Sequence, residues 1–272
     1  MPVRPHGPVG QDRGVIHTAI VTGANQGIGA ATAKALAARG VNVLVTFLRF
    51  APAPDPSTPP EYFAARESDA DHVVAAITEA GGRAHAVEAD LADPLVPARL
   101  FDVAEHVFGP VDILVNNASS WVQDTFLAAE TDQFGRVLRA VTPQTFDAQF
   151  AVDARAGALM ISEFARRHIA RGGNWGRIVG LTSGGPLGFP SEVTYGAAKA
   201  ALDNYAMSAA AELWPHGITS NVVKPGVTDT GWVNDAVRAQ HDVSQPEDVA
   251  GVVAFLCSDE AAKVTKNVIT LH

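Results

Sequence analysis

The sequence holds a single cysteine, Cys257. An internal disulfide or a cluster of thiolate metal ligands is therefore excluded, and a reducing cytoplasm is the expected setting. No apolar run reaches the roughly 18 residues that a membrane helix needs. Dense basic runs are also missing, and the formal charge of −9 argues against a nucleic-acid surface. The nine histidines show no metal-ligand spacing, so no metal site is expected. Residues 1–14 contain prolines and glycines but no hydrophobic core, which suits a loose tail and not a signal peptide. What remains is 272 residues, 47% of them hydrophobic and 18% charged, as one globular α/β domain over 15–272 would have.

The order of apolar runs and turn signals is regular. Residues 15–21 form a short apolar run, followed by Thr22-Gly-Ala-Asn-Gln-Gly-Ile-Gly29 and an alanine-rich helix to about Arg39. Further strands are expected at 41–47, 83–89, 111–115, a run ending in Ile178, Val179 and Leu181, then 218–223 and 268–271. Helices are expected at about 67–80, from Asp90-Leu-Ala-Asp93 to Phe108, at 146–171, at 194–214 and from Pro246 onward. Between them 51–60 is proline-rich and reads as an extended loop. Cys257 continues an apolar run and reads as a packed thiol. Each strand is apolar nearly throughout, as parallel strands covered on both faces are. Strands alternating with helices give a doubly wound, Rossmann-type parallel sheet of about seven strands with helices on both faces.

Two stretches carry chemistry. A strand, a glycine turn and a helix at 15–39 make a phosphate cradle: glycines let the backbone approach, and the helix N-terminus favours negative charge. A tight turn without a ligand would use the same spacing. The second stretch runs from Thr182-Ser183 to Tyr195-Gly-Ala-Ala-Lys199. Residues four apart share a helix face, and an ammonium beside a phenol lowers its pKa from about 10. Tyr195 could then exchange a proton with a substrate oxygen, and Ser183 could hold that oxygen. An exposed tyrosine and a solvated lysine would look the same in isolation.

Taken in order, Thr22–Gly29, Asp90, Asn116-Asn-Ala118, Ser183, Tyr195 with Lys199, Asn221, Pro225-Gly226 and Pro246-Glu-Asp-Val-Ala250 resemble the short-chain dehydrogenase/reductase family, its 3-oxoacyl-ACP reductase-like members in particular. The resemblance spans about 18–271. It implies oxidation of an alcohol or reduction of a carbonyl with NAD(P), on a small-molecule substrate, by a homo-oligomer (tetramer or dimer). It makes Tyr195 the acid/base, has Ser183 orient the substrate oxygen, and has Lys199 hold the nicotinamide ribose. Gly23, Asn25, Gln26, Gly27, Ile28 and Gly29 fall at the cofactor phosphates, Asp90 and Leu91 at the adenine, and Asn117 and Ala118 near the adenosine-side ribose. Pro225, Gly226, Val227 and Thr230 fall at the nicotinamide end. Asp90 could equally be a helix cap.

The departures are specific. Where the family carries Asn on the long helix, Val152-Asp-Ala-Arg155 places Asp153. The asparagine's role is ascribed to its backbone carbonyl, so an aspartate could serve, while its carboxylate could hold Lys199 more firmly charged. Ser119 replaces a glycine, and the chain ends at Leu271-His272 without the usual Asp-Gly-Gly, leaving the C-terminal subunit contact open. NAD binders place a carboxylate at the end of the second strand; here Phe47 is followed by Leu48 and Arg49. Arg49 could meet a 2′-phosphate or simply face solvent, and Gln26 stands where many NADP binders carry a second base. NADP(H) is favoured and NAD(H) stays open. Residues 120–143 are longer than usual for the family, and their Trp121 and Phe126 could wall the substrate mouth or form a surface elaboration. The reading is an NADPH-dependent carbonyl reductase or alcohol dehydrogenase for a 3-oxoacyl-thioester-like, ketone or quinone substrate. A cofactor-binding sensor or scaffold without turnover is the alternative.

Overall fold

A computed structural model describes residues 16–51, 58–183 and 188–272. The expected tail at 1–14, most of the proline loop and the glycine–proline turn after Ser183 lie outside these residues. Seven parallel strands form the central sheet: β1 (Thr18–Val21), β2 (Asn42–Phe47), β3 (Ala84–Glu88), β4 (Ile113–Asn116), β5 (Gly176–Leu181), β6 (Ile218–Lys224) and β7 (Val268–Thr270). Their order across the sheet is β3-β2-β1-β4-β5-β6-β7. The chain starts in the middle and winds outward in both directions, so the strand order reverses between β1 and β4. At such a reversal the loops leaving neighbouring strands part and open a crevice.

Strand side chains alternate between faces, and each face has its own helical cover. Ala19, Val21, Val43, Val45, Ile113, Val115, Val179 and Val223 meet helices α1 (Gly27–Ala37), α3 (Asp71–Glu79) and α9 (Pro246–Leu256). Ile20, Leu44, Leu114, Ile178 and Ile218 meet α4 (Val96–Phe108), α6 (Gly157–Ala170) and α7 (Val193–Leu213). Phe101 and Phe164 are buried there edge to face, 6.4 Å apart. Each such side chain contributes about 1.5–3 kcal/mol by leaving water. The central strands are covered on both faces, which is why they read as mostly apolar runs, while the edge strands β3 and β7 stay partly exposed.

Three elements depart from the sequence reading. The helix expected at about 67–80 is two helices, α2 (Pro60–Glu67) and α3. Pro60 occupies the first turn of α2, where its missing N–H has no partner to lose; the proline run therefore ends in a helix instead of continuing extended. Asp90 does not cap α4, which begins at Val96; it accepts from Ala92 N at 2.8 Å in a tight turn. The long helix expected at 146–171 is three segments: α5 (Pro143–Phe150), a wider π-helical turn at Ala151–Ala156, and α6. Such turns insert an extra residue and re-aim side chains, and this one holds Asp153. A four-residue helix, α8 (Asp235–Arg238), sits in the stretch after β6. Two-residue strands, Asp124–Thr125 and Arg139–Ala140, pair within 120–143.

Candidate active site

All seven strands deliver their loops to one edge, and there a cleft of about 900 Å³ opens. It is lined from the turn after β1 (Gly23 to Ile28), the ends of β2 and β3, and Asn117 to Trp121 after β4. Ser183, Tyr195, Lys199, and the stretch after β6 complete it.

The glycine turn is shaped by close approach. Gly23 and Gly27 have φ of +62° and +53°, a region costly for residues with a Cβ. A Cβ on Gly29 would stand 2.3 Å from the Gly23 carbonyl oxygen and 2.6 Å from Asn117 Nδ2. The start of α1 has no side-chain cap and no acidic residue in its first turn, leaving its N–H groups for an anion. Gln26 Oε1 is buried there with no partner. Asn25 and Asn117, expected at the cofactor, act first on the protein: Asn25 donates to the carbonyls of Ala65 and Ser68, and Asn117 to those of Thr22 and Gly23. They brace the turn while lining the cleft. Asp90, Leu91, Ala118, Pro225, Gly226, Val227 and Thr230 line it too.

At the floor of the cleft Lys199 is buried, its side chain 3% exposed. Its ammonium lies 2.8 Å from Asp153 Oδ1, a carboxylate 0% exposed, and donates to the Leu181 carbonyl at 3.1 Å. Burial pulls the ammonium's pKa down, but Asp153 and then Tyr195 outweigh it, so Lys199 is held above its ordinary value. Tyr195 stands one helical turn away, with the ammonium 5.5 Å from its ring centre, and it shares a side-chain hydrogen bond with Ser183. Here the sequence expectation is corrected. Burial raises the phenol's pKa and the Asp153 charge adds to this; together they exceed the lowering by Lys199 and Ser183. Tyr195 is therefore a protonated phenol at neutral pH, a donor before it is a base.

Arg49 does not line the cleft. Its guanidinium closes on Glu88 at the end of β3, with contacts of 3.1 and 2.6 Å, and both groups face water. A cation that does line the cleft is Arg66, stacked on Phe50 and Tyr62 at 5.3 and 5.0 Å. Its Nε is buried without a partner. Sequence reading missed it because its position depends on α2 forming at all. Phe126 is 83% exposed and walls nothing; Trp121, Phe134 and Trp232 do. These three rings lie within 5.7 Å of the buried Arg136 guanidinium, which pairs with Asp132 and Glu192 at 2.7 and 3.0 Å. Burial pushes the Cys257 thiol up to about 12, the mark of an inert packed thiol.

A family model described as Enoyl-(Acyl carrier protein) reductase matches residues 62–271, and one described as short chain dehydrogenase matches 17–53. An uncharacterized oxidoreductase of Methylorubrum extorquens is 35% identical over 264 residues, covering 92% of this chain and 94% of that one. A 3-oxoacyl-[acyl-carrier-protein] reductase of Synechocystis is 32% identical over 253 residues, with 90% of each chain covered. Among solved structures, the angucycline C-6 ketoreductase LanV with bound NADP superposes with a TM-score of 0.76 at 31% identity, covering 93% of each chain. The chain belongs to the short-chain dehydrogenase/reductase family. It is an oxidoreductase of the alcohol–carbonyl couple that uses a nicotinamide cofactor, and the open α1 N-terminus with its glycine cradle fits the phosphates of that group.

Gly29→Ala tests the cradle. Forcing a Cβ against backbone costs about 1–3 kcal/mol, so dinucleotide affinity should fall about tenfold or more in a fluorescence titration. Unchanged affinity in a folded variant would remove the cradle from the binding site.

Proposed function

We propose that the protein is an NADPH-dependent carbonyl reductase acting through Ser183, Tyr195 and Lys199 on a ketone, quinone or 3-oxoacyl-thioester-like substrate. The observation that carries the reading is the convergence of the three side chains on the cleft floor, beside a glycine cradle built for a dinucleotide. When bound, the cofactor supplies a hydride for the carbonyl carbon. The protein's share is to hold the carbonyl and deliver a proton. Ser183 donates to the carbonyl oxygen, and Tyr195 gives that oxygen its phenolic proton as negative charge develops there. The resulting phenolate is stabilised by the Lys199 ammonium and takes its proton back from solvent. Lys199 has three N–H donors; Leu181 engages one, the Asp153 carboxylate pairs with the charge at 2.8 Å, and a donor is left for a ribose hydroxyl.

The raised phenol pKa supports reduction as the working direction. The active form is the protonated one, and a pKa held above the ordinary phenol's moves the alkaline fall of activity upward. The absence of a carboxylate at the end of β2 and the presence of Arg66 on the same wall favour NADPH over NADH. Arg66, whose guanidinium has an unpartnered Nε, takes the role that the sequence suggested for Arg49.

Tyr195→Phe should lower ketone reduction about 100-fold or more, measured by loss of NADPH absorbance, with NADPH affinity nearly intact. A phenylalanine variant that keeps several per cent of turnover would overturn the assignment. Arg66→Ala should weaken NADPH against NADH about tenfold or more, since a charged hydrogen bond contributes about 1.5–3 kcal/mol. Arg49→Ala should change neither cofactor selectively. The opposite pattern would return the 2′-phosphate to Arg49.

A further inference from the structure

Both oxygens of the Asp153 carboxylate face donors, one as an ion pair and the other as a hydrogen-bond acceptor. One oxygen faces Lys199 at 2.8 Å. The other accepts from Ser120 N at 2.9 Å and from Gln149 Nε2 at 2.5 Å. Gln149, 0% exposed, spends its own oxygen on Val122 N at 2.7 Å. The two side chains, four residues apart across the junction of α5 and the π-helical turn, thus grip the backbone on either side of Trp121. That grip matters because Trp121 has φ of +38°, a left-handed conformation that costs a bulky residue about 1–3 kcal/mol unless its surroundings impose it. Its indole lines the cleft, T-shaped to Tyr62 at 5.6 Å and tilted to Trp232 at 5.9 Å.

From this we infer that Asp153 is a positioning residue acting through its carboxylate: one oxygen keeps Lys199 in place beneath Tyr195, the other anchors the Trp121 wall of the substrate cleft. The inference rests on the Ser183, Tyr195 and Lys199 reading and adds a link between the proton donor and the substrate wall. A backbone carbonyl cannot do this, and neither can an asparagine side chain. Every partner of the Asp153 side chain is a donor. An amide offers one acceptor oxygen and an NH₂, so in either orientation its NH₂ would face Lys199 or the Ser120 and Gln149 donors. Turning Gln149 over to compensate would present its NH₂ to Val122 N. The asparagine that an aspartate could have replaced on backbone grounds therefore no longer fits this chain.

The sign of the pH effect follows from the neighbours. Tyr195 is faced by Lys199, Asp153, Ser183 and Glu192. Lys199 is faced by Asp153, Tyr195 and Asp203, the last already paired with Lys224 at 2.6 Å. Removing the Asp153 charge makes the phenolate easier to form and leaves a buried ammonium without its nearest anion, so both groups lose their protons at lower pH. Reduction needs both protonated. The alkaline limb of its pH profile must therefore move down.

The test measures ketone reduction by the full-length protein with NADPH. In Asp153→Asn the alkaline limb of kcat should fall by about one pH unit or more, and Asp153→Glu, which keeps the charge, should recover part of that shift. Gln149→Leu, which leaves the ion pair intact, should raise KM for the ketone about threefold or more with kcat, its alkaline limb and NADPH affinity unchanged. An Asp153→Asn protein with the wild-type limb would overturn the inference, as would a wild-type KM in Gln149→Leu. Should Asp153→Asn not fold, by circular dichroism, the Gln149→Leu result alone decides it in the same way. Failure of the underlying reading has a different signature, an active Tyr195→Phe.

Discussion

A lysine placed inside a protein stays charged only beside an anion that shares its burial, because the low-dielectric interior disfavours an isolated ammonium. The Lys199–Asp153 pair is that arrangement here, and much of the site depends on it. It keeps a positive charge under Tyr195, fixes the face of α7 turned to the cleft, and draws in the backbone after β4 through Ser120. Burial raises the phenol's proton affinity, and the aspartate adds to this by cancelling part of what the lysine does. A tyrosine beside a lysine alone would be a readier base. Buried, and with the carboxylate added, it holds its proton more tightly, which suits the reduction of a carbonyl.

The second dependence is on sheet topology. Seven parallel strands end at one edge, so residues as distant in sequence as Gly23, Ser183 and Thr230 line one cleft. Gly27 shows how closely: a Cβ there would meet Thr230 Cγ2 at 2.8 Å. The cofactor cradle and the stretch after β6 are thus fitted to each other as well as to a ligand. The substrate wall is held by the buried Arg136, paired with Asp132 and Glu192 among three aromatic rings. Paired burial of this kind is expensive to break from one side, and it gives 120–143 a defined shape despite its scant secondary structure.

Much of this was legible in the chain. The strands were readable because burial on both faces of the central ones leaves runs that are mostly apolar. Local spacing puts the glycine turn and Ser183 at strand ends and Tyr195 with Lys199 on one helix face, but their roles came from the resemblance to the short-chain dehydrogenase/reductase family and not from spacing. What was not legible required contacts between distant residues. Arg49 was a reasonable cation for a phosphate until Glu88, 39 residues away, proved to hold it. Arg66 was invisible because a proline run conceals the start of α2. The π-helical turn leaves no periodic signal, yet it seats Asp153, so the aspartate's side chain could not be told from its backbone carbonyl as the working group. For Phe126 composition leaves a substrate wall and a surface elaboration equally open, and the structure leaves the ring facing solvent beside the short ribbon at 124–125 and 139–140.

The proposed function turns on hydride transfer from NADPH to a carbonyl carbon in this cleft. It is tested most directly with NADPH carrying deuterium at the transferable position of the nicotinamide, incubated with the protein and a panel of ketones, quinones and 3-oxoacyl thioesters. Mass spectrometry of the products should find a single deuterium on the carbon that bears the new hydroxyl for the ketone and thioester substrates that turn over. NADPH consumed without label at that carbon, or no turnover across the panel by a protein that binds NADPH, would contradict it.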